Sequence, residues 1–96
     1  MRFIFHPQAD AELDEAAGYY DEQSPRLGLE FLEEVYATVA RITVYPHAGS
    51  PCSKNTRRCI LNRFPYGVIY RVRAGLVDVI AVANLQRRPG YWKKRI

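Results

Sequence analysis

The chain has 96 residues, a net charge of +4, 48% apolar and 25% charged residues, and six each of Gly and Pro. That balance suits one domain over 1–96 with a modest core, and it argues against a disordered chain. No apolar run approaches the roughly 18 residues a membrane span needs, and MRFIFHPQADAEL turns acidic before a signal-peptide core could form, so the expected location is the cytoplasm.

Residues 2–5 (Arg-Phe-Ile-Phe) are aromatic and β-branched, which predicts a first strand. Pro7 fits the first position of a helix, where its missing N–H costs nothing. Ala9, Leu13, Ala16, Ala17 and Tyr20 then fall on one helical face, with Asp10, Glu12, Asp14 and Glu15 mostly off it. Ser24-Pro25 reads as a cap-and-proline start for a second helix. Its stripe is Gly28, Leu32, Val35, Val39 and Ile42, widened by Phe31 and Tyr36, and Pro46 stops it. Only a few residues separate the helices, so an antiparallel helical hairpin is expected.

Beyond Pro46 the period changes. His47 to Thr56 is polar with Gly and Pro and reads as a loop. Strands follow over 58–63, 68–73 and 76–83, joined by turns at Phe64-Pro65-Tyr66-Gly67 and Ala74-Gly75. Leu76 to Ala83 is nearly all apolar, as in a central strand. Arg87-Arg88-Pro89-Gly90 breaks the pattern and leaves a tail. The order β-α-α-β-β-β predicts an α+β fold: an N-terminal strand, then an antiparallel helical hairpin packed on a twisted antiparallel sheet. The face away from the helices should be polar, with Arg58, Arg71 and Arg73.

Charge is divided unevenly along this order. Residues 1–50 hold three bases against nine acids, a net of −6, while residues 51–96 hold eleven bases against Asp78 alone, a net of +10. A single-sign field of that size attracts nucleic acid, a nucleic-acid machine or an acidic protein. Cys52 and Cys59, seven apart with no His nearby, suit neither zinc nor a disulfide framework and are expected as a reduced pair. His6 and His47 have no partner at recognisable spacing. No hydrolase triad, phosphate loop, CxxC or HExxH occurs, so no metal or cofactor is expected.

What remains is the basic half with its aromatics: Arg57, Arg58, Arg63, Tyr66, Tyr70, Arg71, Arg73, Arg87, Arg88, Tyr91, Trp92, Lys93, Lys94 and Arg95. Bases neutralise phosphates and aromatics stack on nucleobases, so the mixture suits a nucleic-acid surface. It also suits metal-free RNA cleavage, with cations on the phosphate and a Tyr or Lys moving protons. Two other uses stay open: the tyrosines and Trp92 as core-edge aromatics, and the arginines as a seat for an acidic protein.

Four stretches taken together, FHPQADAELDEAAGYY, LGLEFLEEVYATVARITVYP, RRCILNRFPYGVIYRV and VIAVANLQRRPGYWKKR, resemble the RelE/ParE superfamily of toxins from bacterial type II toxin–antitoxin modules, most closely its ParE branch. The resemblance spans nearly the whole chain and implies the same compact α+β fold. It implies a toxin that inhibits DNA gyrase by trapping its cleaved-DNA complex, a role in plasmid stabilization, and a cognate ParD-like antitoxin that holds it silent in a hetero-oligomer. The alternative it carries is the RelE activity, a ribosome-dependent mRNA endonuclease that works without metal, with the ribosome and mRNA as targets. Under that alternative Arg63, Arg87 and Tyr91 would surround the scissile phosphate. Target or antitoxin binding would fall to Arg57, Arg58, Arg63, Arg71, Arg73, Arg87, Arg88, Tyr91, Trp92 and Lys93. Two departures weaken the nuclease alternative. Where many relatives read Ala-His, this chain has Ala83-Asn84, and Asn exchanges no proton near neutral pH. The middle strands also lack a Lys cluster, since Lys54 falls in the loop and Lys93 and Lys94 in the tail.

Overall fold

Both helices form where the apolar spacing places them. In the computed structural model, which describes residues 1–53 and 55–96, β1 (Arg2–Phe5) leads into α1 (Pro7–Gln23) and α2 (Leu27–Val44). Lys54 lies outside the described residues. Pro7 begins α1, and His6 caps it: its Nδ1 accepts the Gln8 N–H at 3.1 Å. Ser24, expected to start α2, instead ends α1 by donating its N–H to the Tyr20 carbonyl. The chain turns through Arg26 at φ 68°, and the α2 entrance is capped from α1, where Asp21 Oδ1 accepts the Gly28 N–H at 2.8 Å. That approach requires glycine, because a Cβ on Gly28 would run into the Ala17 carbonyl and the Asp21 carboxylate.

The remaining strands are β2 (Ser50–Ser53), β3 (Thr56–Ile60), β4 (Tyr66–Arg73) and β5 (Leu76–Asn84), followed by a 3₁₀ turn at Lys93–Arg95. The sheet order is β1-β5-β4-β3-β2. The strand ends shift, with β3 ending at Ile60 and β4 starting inside the expected turn, and two larger features of the strand pairing differ from the sequence expectation. First, β2 lies inside the stretch read as a loop, pairing antiparallel with β3 through a bulge. Second, the sheet is mixed: β2 to β5 are antiparallel, but β1 runs parallel to β5, with Arg2 opposite Leu76 and Phe5 opposite Val79. The helical hairpin supplies the crossover that a parallel pair needs. Ala74 (φ 51°) and Gly75 (φ 74°) make the tight β4–β5 turn with both central residues left-handed, the twist that hairpins favour.

The helices bury Ala9, Leu13, Phe31, Val35, Val39 and Ile42 against Cys59, Val68, Tyr70, Val77, Val79 and Val82. Tyr20, Phe31, Phe64 and Tyr66 close this core at one end, with centroids 4.8–5.3 Å apart for the Tyr20–Phe64, Phe31–Phe64, Phe31–Tyr66 and Tyr20–Phe31 pairs. At the other end the buried Tyr70 hydroxyl donates to the Pro46 carbonyl at 2.7 Å and accepts the Gly49 N–H at 3.0 Å, fixing the loop after α2.

The face away from the helices was expected to be polar, and it is only partly so. A bulge at Ile80 puts Ile80 and Ala81 into a second cluster with Ile69, Ala83 and Trp92, with Cys52 and Tyr91 packed beside it. The tail therefore folds back over the sheet and leaves Trp92 only 5% exposed. This double coverage explains why Leu76 to Ala83 is nearly continuous apolar sequence. Cys52 and Cys59 are both free thiols.

Candidate functional site

Glu12 organises the chain's C-terminal end. It stands on the flank of the buried stripe of α1, three residues after Ala9 and four before Ala16, so its side chain reaches past the helix to the sheet. Its Oε1 accepts the Val82 N–H at 3.0 Å and Arg95 Nη1 at 2.9 Å. Its Oε2 accepts the Tyr91 hydroxyl at 2.7 Å and Arg95 Nη2 at 3.0 Å, with Arg87 Nη1 at 3.6 Å. Arg95 also donates to the Ile80 carbonyl at 3.1 Å. Because β1 runs alongside only Leu76–Val79, the outer edge of β5 beyond Val79 has no strand neighbour, and these two side chains satisfy its backbone instead. The Glu12 and Arg95 side chains are 15% and 9% exposed, so this is a two-pronged, nearly buried ion pair.

Arg87 and Tyr91 attach to the same hub. The Arg87 guanidinium carbon sits 3.7 Å from the Tyr91 ring centroid, and that of Arg95 sits 5.2 Å from it. Burial pushes the Tyr91 hydroxyl well above the ordinary tyrosine range, and the hydrogen bond to the Glu12 carboxylate and its charge push it further. Its proton stays on, aimed at a carboxylate. Arg95 is likewise raised, chiefly by its hydrogen bonds to Glu12.

Beside this hub, on the sheet face away from the helices, a pocket of about 160 Å³ opens between β2, β3, the end of β5 and the 85–93 turn. Arg58, Arg87, Arg88 and Lys93 line it, and no acidic residue does. Ile69, Ala83 and Trp92 contribute apolar lining, with Ser53, Asn84 and Tyr91 also present. Among the described residues, Arg58, Arg88 and Lys93 make no ion pair.

The other expected residues lie elsewhere. Arg63 pairs with Glu30 of α2 at 2.7 Å and stacks near Phe64, in a loop whose backbone is held by Glu34. Arg57 donates to the Gly49 carbonyl at 2.7 Å and helps close the loop after α2. Arg71 and Arg73 share Asp78, at 3.2 and 3.6 Å. The expected binding residues, of which Trp92 is buried, thus divide into three groups. Arg58, Arg87, Arg88, Tyr91, Trp92 and Lys93 meet at one pocket; Arg57, Arg71 and Arg73 line a second pocket with His47; Arg63 is tied to α2. The nuclease trio is not gathered: Arg87 and Tyr91 share the Glu12 hub, while Arg63 is held by Glu30.

The sequence reading missed Glu12, treated as a surface acid of α1. The available signal was its place at the edge of the apolar stripe. Among the described residues no cluster of His, Cys, Asp and Glu is placed to hold a metal ion, and no helix is long and apolar enough to cross a membrane.

Known proteins resemble this chain in sequence and in fold. The family model described as the ParE toxin of the type II toxin–antitoxin system, parDE, matches residues 3–89. Toxin ParE2 of Mycobacterium tuberculosis, from strains CDC 1551 / Oshkosh and ATCC 25618 / H37Rv, is 32% identical over 92 residues, spanning 92% of this chain and 85% of the relative. A solved structure titled "Chromosomal ParDE TA system from P. aeruginosa" has a TM-score of 0.77 at 19% identity, covering 90% of this chain and 97% of that one, and so shares the fold. The helical hairpin, the five-stranded sheet and the match over residues 3–89 together make this chain a member of the ParE toxin family of type II toxin–antitoxin systems.

Proposed function

We propose that this chain is a cytoplasmic toxin that inhibits DNA gyrase without metal or cofactor and is held silent by a ParD-like antitoxin in a hetero-oligomer. The observation that carries the choice of a poison over a nuclease is the state of Tyr91. Its hydroxyl donates to Glu12 at 2.7 Å and resists ionisation, so it is a poor general base. Asn84 at the end of β5 offers no replacement. What the surface offers is cationic charge with no ion-pair partner among the described residues, suited to holding an anionic partner in place. The same charge gives an acidic, partly apolar antitoxin segment a fast and tight seat.

The test is a gyrase supercoiling and cleavage assay with a denaturing step. Linear plasmid that appears only with gyrase, ATP and this protein supports the poison. Unperturbed supercoiling by a folded sample overturns it and directs attention to mRNA cleavage on stalled ribosomes. Tyr91→Phe then separates the mechanisms: a nuclease using that hydroxyl loses orders of magnitude in activity, and a poison loses far less. For the antitoxin, a protein encoded beside this gene should bind and stabilise the folded chain, by about 2.7 kcal/mol at a free concentration a hundredfold above its dissociation constant, which is read as a raised thermal midpoint.

A further inference from the structure

We propose that the pocket bounded by Arg58, Arg87, Arg88 and Lys93 is a nucleotide-phosphate site that takes one phosphate ester, with the attached sugar resting on its apolar lining. The inference rests on the same basic surface as the gyrase reading and names the chemical group which that surface grips.

Four cations line one concavity with no acid among the lining residues, and three of them have no ion-pair partner among the described residues. Elsewhere on the chain the arginines mostly find carboxylates or carbonyls: Arg63 has Glu30, Arg71 and Arg73 have Asp78, Arg95 has Glu12, and Arg57 has the Gly49 carbonyl. Arg2, Arg26 and Arg41 also make no ion pair among the described residues, but they lie apart on β1, before α2 and on α2, whereas Arg58, Arg88 and Lys93 share one pocket. Its cations are also positioned by the fold. Arg87 is steered by the Tyr91 ring and the Glu12 carboxylate. Lys93 arches back over Gly90, whose φ is 79° and where an added Cβ would fall 2.8 Å from Lys93 Cε. Beside them Trp92 is almost wholly buried, and its indole N–H is a buried donor with no acceptor among the described residues.

Arginine forks and an ammonium lining one concavity match an anion with three or more acceptor oxygens better than the two of a carboxylate. A volume of about 160 Å³ is below the usual range for a drug-sized ligand and suits a phosphate with its sugar. A stacked duplex cannot enter such a space, whereas a frayed or single strand or a free nucleotide can. Tyr91, Trp92 and Lys93 lie beyond the span matched by the family model, so part of the pocket is built outside that shared region.

Trp92 is the chain's only tryptophan and lines the pocket, so its emission reports occupancy directly. The full chain is titrated with thymidine monophosphate, thymidine, inorganic phosphate, a short oligothymidylate, a duplex of matched length and an oligoglutamate peptide. The monophosphate is expected to change Trp92 emission saturably, inorganic phosphate to compete with it, and thymidine to do nothing. Tighter binding of the oligothymidylate with the same end point assigns the site to a strand; equal affinity assigns it to a free nucleotide. Arg88→Gln with Lys93→Gln should weaken binding at least about tenfold, and Arg58→Gln alone should weaken it measurably. Arg41→Gln, on α2, should leave it unchanged, with thermal midpoints confirming that each variant folds.

The proposal is overturned if thymidine and its monophosphate act alike, if only the peptide or the duplex moves Trp92, or if the folded pocket variants bind as the parent does. Gyrase cleavage is scored in parallel. Trapping without any Trp92 response removes this site and leaves the gyrase reading standing; a Trp92 response without trapping does the reverse.

Discussion

Two carboxylates of the helical hairpin form ion pairs with the basic half of the chain, and they do so under opposite conditions. Glu30 holds Arg63 in the loop before β4 at 2.7 Å, with side chains 39% and 58% exposed. Glu12 holds Arg95 in the tail at 2.9 Å, with side chains 15% and 9% exposed. The bond lengths are alike and the energetics are not. Water screens the first pair, and either partner left alone is rehydrated at little cost. The second pair sits where an abandoned charge has little solvent to turn to. The comparison also explains part of the charge asymmetry: some acids of the first half are counterions for bases of the second, and the bases around Arg58 and Arg88 are left over.

The sharpest way to break this contrast is Glu12→Ala. It strands the Arg95 guanidinium, the Val82 N–H and the Tyr91 hydroxyl together, and should cost about 3 kcal/mol or more in a urea titration. Arg95→Met tests the same pair from the other side. It should cost less than Glu12→Ala, because Glu12 keeps the Val82 and Tyr91 donors and the nearby Arg87.

Tyr91→Phe removes one hydrogen bond to a charged acceptor and should cost about 1.5 kcal/mol. It should also change the alkaline limb of stability. The folded-state value of Tyr91 is raised above 10.0, so the native chain holds that proton more tightly than the unfolded one. The associated stability is complete below about pH 10 and is lost as pH climbs toward the folded value. Thermal midpoints measured upward through pH 10 should therefore fall less steeply in Tyr91→Phe than in the parent. Tyr20, Tyr66 and Tyr70, raised mainly by burial, keep some of the slope in both.

The smallest effect is expected of Glu30→Gln, about 0.5 kcal/mol or less and fading with added salt. A Glu30 variant as damaging as Glu12→Ala, or a Glu12 effect that salt abolishes, would remove the distinction between the two tethers.

The helices were legible because their apolar residues repeat over several turns. Ala9-Leu13-Ala16 and Val35-Val39-Ile42 state both the element and its buried side. β3 was legible from the alternation that begins at Arg58, and β4 from the apolar run Val68-Ile69-Tyr70, but their ends were not: β3 stops at Ile60, and β4 starts at Tyr66, inside the stretch read as a turn. β2 was not, since Ser50-Pro51-Cys52-Ser53 is four residues long, contains proline and has no apolar period. The parallel partnership of β1 was hidden for another reason: periodicity tells which face a residue takes and nothing about a neighbour more than 70 positions away. At the site, the cationic and aromatic residues could be enumerated but not sorted. Arg58 and Arg63 look alike in sequence, and only the fold gives Arg63 a carboxylate and leaves Arg58 facing the pocket. Glu12 depends on an arginine 83 residues away, a separation that no local pattern encodes.

The side chains that finish β5 bear on how the molecule stays soluble. Leu76–Asn84 is a nine-residue, mostly apolar strand, and its last five residues outrun β1. An uncovered edge of that composition is a template on which a second chain could add in register and start an aggregate. Glu12 occupies the Val82 donor and Arg95 the Ile80 acceptor, so an incoming backbone finds those positions already filled. Loss of the last two residues would then show itself first in turbidity on storage, as filaments or precipitate of an otherwise folded protein.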